Sequence, residues 1–242
     1  MRRALALALA GAAPLAIALG SAFAPFSAMP PGAALPPGWR ELRVPRAPPA
    51  EIALVEDAGA TVLRVRSRAA AGAAATQARV PLEGRPVLAW RWKVERVVKG
   101  ADLNRREGDD FAARVYVFFD IPEEELPLGA RVKSGLARLL HGEDLPTAAL
   151  CYVWDNRHAP GTTAWNPYTD RVRTVVVESG EARAGEWVEV RRDLEADFRA
   201  AFGAQWRKPV PALTGIAAGN DTDQTGEAAT AWFDDFRLEA RK

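Results

Sequence analysis

The chain has 242 residues, 48% hydrophobic and 26% charged, a composition that excludes a disordered or collagen-like protein. Its formal net charge of +1 provides no basic field for nucleic acid or an anionic membrane. Cys151 is the single cysteine, which excludes an intrachain disulfide and leaves stability to the core or to a bound ion.

Residues 1–24 read as a signal peptide. Arg2 and Arg3 form a basic start, ALALALAGAAPLAIALG is apolar, and Ala22-Phe23-Ala24 is a small-x-small cleavage site. The alternative is a retained membrane anchor, since the apolar stretch approaches spanning length. Pro14 and the Ala-x-Ala site favour cleavage, leaving no membrane span and a periplasmic or secreted product. Residues 25–38, PFSAMPPGAALPPG, hold five prolines and two glycines and read as a Pro-rich linker. With no second linker and no internal repeat, residues 39–242 read as one domain.

Period-two alternation then dominates. TVLRVRS (61–67) alternates apolar and polar residues. VLAWRWKVERV (87–97) puts Leu88, Trp90, Trp92 and Val94 on one face, with Arg91, Lys93 and Glu95 on the other. DFAARVYVFFD (110–120) groups Phe111, Ala113, Val115, Val117 and Phe119 opposite Asp110, Arg114 and Tyr116. AALCYVW (148–154), RVRTVVVES (171–179) and EWVEVRR (186–192) add three β-rich runs. LTGIAAGN (213–220) and AATAWFDDFRLEA (228–240) close the chain as a pair joined by an acidic turn. Two helices interrupt the strands. ARVKSGLARLLHG (130–142) has an apolar stripe of Val132, Leu136, Leu139 and Leu140. DLEADFRAAFG (193–203) has Asp193 as N-cap, a stripe of Leu194, Phe198 and Phe202, and Gly203 as stop. Many short strands with turn residues between them predict a mainly-β sandwich or barrel carrying two peripheral helices.

In the order WRWKV, GDDFAARVYVFF, LCYVWDN, NPYTDRVRTVVVESG, RRDLEADFRAAFG and GIAAGNDTDQTGEAATAWFDDFRL, the chain from Trp90 onward resembles a bacterial exported family, domain of unknown function 3047. That family has no established activity, so no catalytic residue is carried over. The ending AWFDDFRL is similar to the last strand of jelly-roll carbohydrate-binding modules, which supplies a structural calcium ligand there. The two helices and longer loops depart from those modules. Together the resemblances imply a galactose-binding-like jelly-roll sandwich.

The acidic end raises the chemical question. Strand alternation places Trp232, Asp234, Phe236 and Leu238 on the core face, so Asp234 needs a positive partner. Trp90, Trp92 and Trp232 are all assigned to the core. Asp221, Asp223 and Asp234 form a candidate calcium group, because a hard cation gathers several oxygens. A turn capped by its own Asp and Thr side chains is the other reading. His141, His158 and Cys151 lack zinc spacing. Arg114 is expected to pair with carboxylate, with Asp109, Asp110, Asp221 and Asp223 as candidates.

For a ligand, the loop DNRHAPGTTAWNPYTD (155–170) brings Trp165 and Tyr168 beside Asn156, Asn166 and His158, aromatic faces and amides suited to a sugar ring. A loop pinned by its own aromatics is the plainer alternative. Asp110 and Arg114 complete the candidate ligand set. The chain lacks a G-x-S-x-G elbow, and Cys151 sits in an apolar run as a small hydrophobe. The expected function is a non-catalytic glycan-binding module. A glycan-hydrolase-type enzyme using Asp109, Asp110 or Asp221, or an envelope assembly protein, are the alternatives, and oligomeric state is not legible.

Overall fold

Alternating apolar residues need an apolar layer on one side, and here two sheets supply it to each other. The computed structural model describes residues 22–44, 46–121, 148–204 and 206–242. In chain order the strands are β1 (Trp39–Arg43), β2 (Glu51–Asp57), β3 (Ala60–Arg68), β4 (Ala71–Val80), β5 (Val87–Val94) and β6 (Phe111–Phe119). They continue with β7 (Ala148–Asp155), β8 (Thr163–Asn166), β9 (Thr169–Ser179), β10 (Val188–Asp193), β11 (Leu213–Asp221) and β12 (Ala228–Glu239). A seven-stranded sheet runs β1-β4-β11-β6-β7-β9-β8, and a five-stranded sheet runs β10-β5-β12-β3-β2. Pairing is antiparallel except between β7 and β9, which are parallel. The chain repeatedly crosses between the sheets, giving the expected mainly-β sandwich of jelly-roll type.

The core between the sheets is aromatic. Trp90, Trp92, Tyr152, Trp154, Phe119 and Phe233 are all buried there. Trp90 and Trp92 pack edge to face at 5.6 Å, and Trp154 meets Trp92 at 5.9 Å. One α-helix lies among the described residues, α1 (Leu194–Phe202), and Asp193 caps it by accepting from the Ala196 N–H. Its Phe198 packs on Phe119 at 4.9 Å, while Tyr152 donates its hydroxyl hydrogen to Asp197. The helix expected over 130–142 lies outside the described residues.

Three expectations need correction. The acidic turn does not join a hairpin. β11 pairs with β4 and β6 in the larger sheet, and β12 pairs with β3 and β5 in the smaller, so the turn carries the chain from one sheet to the other. Trp232 is not core. Ala231 and Phe233 face the core, and Trp232 stands half-buried on the outer face under the Lys93 ammonium at 4.5 Å. Asp234 shares that outer face. A bulge then intervenes: the register shifts between Asp234 and Arg237, and Asp235 adopts a φ of 57°. Alternation resumes one residue later with Phe236 inward, so a strict period of two assigns Trp232 and Asp234 to the wrong side. Asp234 does have the cation its burial demands: Arg91 reaches it at 3.0 Å and Asp235 at 2.7 Å.

The segment 25–38, read as a linker, is packed against the sandwich. Phe26 is buried against Trp39 at 4.7 Å and Phe236 at 6.4 Å, and the Gly32 N–H donates to the Leu54 carbonyl at 2.8 Å. Proline and glycine restrict or loosen a backbone but do not stop neighbouring Phe side chains from reaching a core. β4 was not legible either. Its AGAAATQ run has a single β-former, Thr76, and no alternation, yet small side chains let it lie buried on both faces beside β11.

Candidate functional site

β6 is buried along its entire length, so each polar group on it must find a partner. Ala113, Val115, Val117 and Phe119 face the core between the sheets, as alternation predicts. Arg114 and Tyr116 face the other way, onto the outer side of the seven-stranded sheet, where Phe118, Cys151, Val153 and Ala217 form a second apolar cluster. Phe111 belongs to that second cluster rather than to the core, because the β11–β6 register shifts between Gly219 and Asp221. Arg114 lies opposite Gly219 in the register. A Cβ on Gly219 would overlap the Gly72 carbonyl oxygen and crowd Ala73, so glycine is what lets β11 approach β4 so closely beside the arginine.

Arg114 is held through its two terminal nitrogens. It donates to Asp221 Oδ1 at 2.7 Å, to the Asp109 carbonyl at 2.7 Å and to the Tyr116 hydroxyl at 2.8 Å, and its guanidinium lies 4.8 Å from the Phe111 ring. The Asp109 carboxylate is 3.7 Å away and takes a 2.9 Å hydrogen bond from the Asn166 amide. Asn166 in turn accepts from the Tyr168 N–H at 3.0 Å. Above this floor is a cavity of about 270 Å³, lined by Asp109, Arg114, Tyr116, Asn166, Tyr168, Asp221 and Asp223, with small residues of β4 forming a wall. The volume falls just below the ~300–1,000 Å³ of common small-molecule sites.

Burial dominates the electrostatics. It pushes the carboxyl of Asp221 well above the usual range, with the charges of Asp110 and Asp109 adding to the shift and Arg114 opposing it. Asp109 is raised by burial against the pull of Arg114, and Asp223 is raised by burial and by Asp110. Burial disfavours the charge on Arg114, but Asp221, Tyr116 and Asp109 outweigh it and hold the guanidinium protonated. Four carboxyls crowd the buried Arg114 guanidinium, with Arg46 the other arginine at the cavity wall, so their mutual repulsion adds to burial in favouring the protonated form. Burial lifts the Cys151 thiol to about 12, which leaves it a packing residue.

The sequence-predicted residues divide. Arg114, Asn166, Tyr168, Asp221 and Asp223 meet at the cavity. Asp110 is fully buried behind it, accepting from the backbone N–H groups of Gln224 and Thr225 and so tying β6 to the acidic turn. Trp165 turns away to pack on Phe202 at 5.7 Å, with Arg173 over its ring at 4.9 Å. Asn156 donates to the Lys99 and Ala101 carbonyls, and His158 Nδ1 lies 3.1 Å from Asp155 Oδ1. These three hold the loop to the domain. Asp234 is absent from the acidic group: among the described residues, the three carboxylates with oxygens within 4.8 Å of one another are Asp110, Asp221 and Asp223. Asp234 is instead occupied by Arg91 on the outer face of the other sheet. Tyr116 was legible as a neighbour of Arg114 on one strand face, whereas the β4 wall had no signal of its own.

The fold and site define a β-sandwich protein with a polar cavity built over a buried arginine on its larger sheet. The chain belongs to the DUF3047 family, proteins of unknown function, whose sequence profile matches residues 37–237. No curated protein matches the sequence. Among solved structures it is similar to the xyloglucanase domain of NopAA from Sinorhizobium fredii in complex with cellobiose, at 12% identity over 88% of this chain and 97% of that one, with a TM-score of 0.43. It is also similar to endoglucanase Cel12A from Rhodothermus marinus, at 11% identity over 85% and 92%, with a TM-score of 0.45. An endo-1,4-β-glucanase matches at 13% identity over 81% and 90%, with a TM-score of 0.44. Likeness at this level carries nothing about activity or substrate. No helix among the described residues is long and apolar enough to cross a membrane.

Proposed function

We propose that this chain is an exported carbohydrate-binding protein of the periplasm or cell envelope, taking a small polyhydroxylated ligand in the cavity over Arg114. The observation that carries the reading is the preorganised polar lining. Asn166 is fixed between Asp109 and the Tyr168 backbone, Asp223 is half-buried at the cavity, and the Tyr168 ring lies against Arg106 at 5.3 Å. Carboxylates and amides accept and donate to vicinal hydroxyls without mobile groups having to be ordered first. Arg114 turns its two terminal nitrogens to Asp221, Asp109 and Tyr116, and the carboxyls of Asp109, Asp221 and Asp223 outnumber the two arginines, Arg46 and Arg114, that line the cavity, so the site favours a neutral or cationic glycan over an anionic one.

One observation favours a second reading, a glycan-hydrolase-type enzyme: Asp109, Asp221 and Asp223 are all raised in pKa and all border the same cavity. Such chemistry needs one protonated and one ionised carboxyl across the bond to be cut. A glycan-array screen followed by calorimetry tests the first reading. Wild type and Trp165→Ala should bind the same glycan, while Asn166→Ala and Tyr168→Ala lose roughly tenfold or more in affinity, about 1.4 kcal/mol. Absence of any glycan ligand for wild type would sink it. Cleavage of the bound glycan that disappears in Asp223→Asn, with binding kept, would move the protein to the enzyme reading.

Calcium belongs to this proposal at Asp110, Asp221 and Asp223, whose oxygens are close enough for one hard cation to bridge. The fit is partial: Arg114 and the Phe111 N–H already occupy Asp221 Oδ1, and two backbone N–H groups occupy Asp110. If an ion is held there, chelation lowers the melting temperature and added calcium restores it. A melt indifferent to both removes the ion.

A further inference from the structure

The first residues of a domain fray unless something ties them down. Here they are tied in from Phe23 onward. Phe23 is 1% exposed and belongs to the main core, as does Phe26. Between them, the Ala24 carbonyl accepts the Trp39 indole N–H at 3.0 Å. Trp39 in turn packs on Phe26 and on Phe236 of β12, so the N-terminal segment closes over the sandwich at a contact shared with its last strand.

This packing conflicts with the cleavage site that the sequence favours. A cut after Ala24 would strip a buried aromatic ring from the core, remove the acceptor of the Trp39 indole, and place a new ammonium on Pro25 beside buried Phe26. The bond after Ala24 is also an Ala–Pro amide, whose nitrogen carries no hydrogen. Two upstream triplets, Ala18-Leu19-Gly20 and Gly20-Ser21-Ala22, offer the same small-x-small pattern. Hydrolysis after either adds one water across one amide, the hydroxyl to the new carboxylate and the proton to the new amine. Each leaves Phe23 in the chain.

We infer that Phe23 is a core residue of the mature protein, and that any cut releasing the leader falls N-terminal to it. The inference is independent of what the cavity binds.

The test is to express the full chain with a C-terminal tag in a bacterial host and read the N-terminus of the product by intact mass and terminal peptide mapping. A first residue at Phe23 or earlier, the uncut chain included, is the expected result. A product beginning at Pro25 overturns the inference. In parallel, Phe23→Ala in the full chain should lower the melting temperature by roughly 10 °C, while Ser27→Ala, at an exposed position of the same segment, leaves it unchanged. A Phe23→Ala protein that melts with wild type also overturns it, whatever the host does to the leader.

Discussion

The two sheets carry the same device on their outer faces and use it differently. Each places an arginine from a strand against two aspartates, Arg114 with Asp221 and Asp109 on the larger sheet and Arg91 with Asp234 and Asp235 on the smaller. Side-chain exposure separates the arginines, 7% for Arg114 against 28% for Arg91, and one carboxylate of each pair, 11% for Asp109 against 47% for Asp235, while Asp234 is buried like Asp221. Water screens the Arg91 group, and the Trp187 ring stacked at 4.6 Å from its guanidinium covers only part of it. The Arg114 group is closed in by β4, the acidic turn and the β8–β9 turn, so its charges are screened less and border a cavity rather than open solvent. A constellation of Arg and Asp marks a candidate site when burial concentrates it, and a surface brace when it does not.

Breaking each arginine tests that difference. Arg114→Met leaves Asp221 and Asp109 buried without their cation, and should cost about 3–5 kcal/mol in denaturant unfolding. A loss below about 1 kcal/mol would show that water reaches the group and that the contrast is false. Arg91→Ala should cost less, about 1–2 kcal/mol, nearly all of it from stranding Asp234, which is 1% exposed. Arg91→Ala combined with Asp234→Asn should recover part of that loss.

The smallest expected effect is the most specific to the cavity. Asp223 has its pKa raised in the folded state, so its stabilising contribution is complete below the ordinary value of 3.8 and is lost as pH rises through its folded pKa. At neutral pH the charged carboxyl therefore works against folding. Asp223→Asn should raise the melting temperature at pH 7, and the gain should fade as pH approaches 3.8. Asp193 is the opposite case: Arg241 and the helix N-terminus lower its pKa, so its contribution is lost as pH falls. A gain in Asp223→Asn that is constant with pH would mean that repulsion among the cavity carboxyls is not its source.

Much of the architecture was legible because burial leaves a period in the residues. Leu88 to Val94 and Ala113 to Phe119 alternate because one face of each strand meets the opposite sheet, and Asp193 announces α1 because helix N–H groups need an acceptor. The same logic correctly made Arg114 and Asp234 seek opposite charges. It failed where one residue breaks the phase: the bulge at Asp235 returned Trp232 and Asp234 to the outer face. It also failed where side chains are too small to leave a period, as in β4, and where proline masked packing, as around Phe26.

By itself, then, the sequence determined the mainly-β class, the placement of Arg114 and Tyr116 on one strand face, and the need of each buried acid for a partner, because all three follow from local alternation and the cost of burying charge. Only the tertiary structure decided which carboxylates meet. Asp109, Asp221 and Asp223 come together with Asn166 and Tyr168 because β6 and β11 are adjacent in one sheet and the β8–β9 turn, from the far edge of that sheet, reaches back to Asp109, while Asp234, only eleven residues beyond Asp223, is carried to the other sheet. Strand order is set by contacts between residues far apart in the chain, and no local pattern records it.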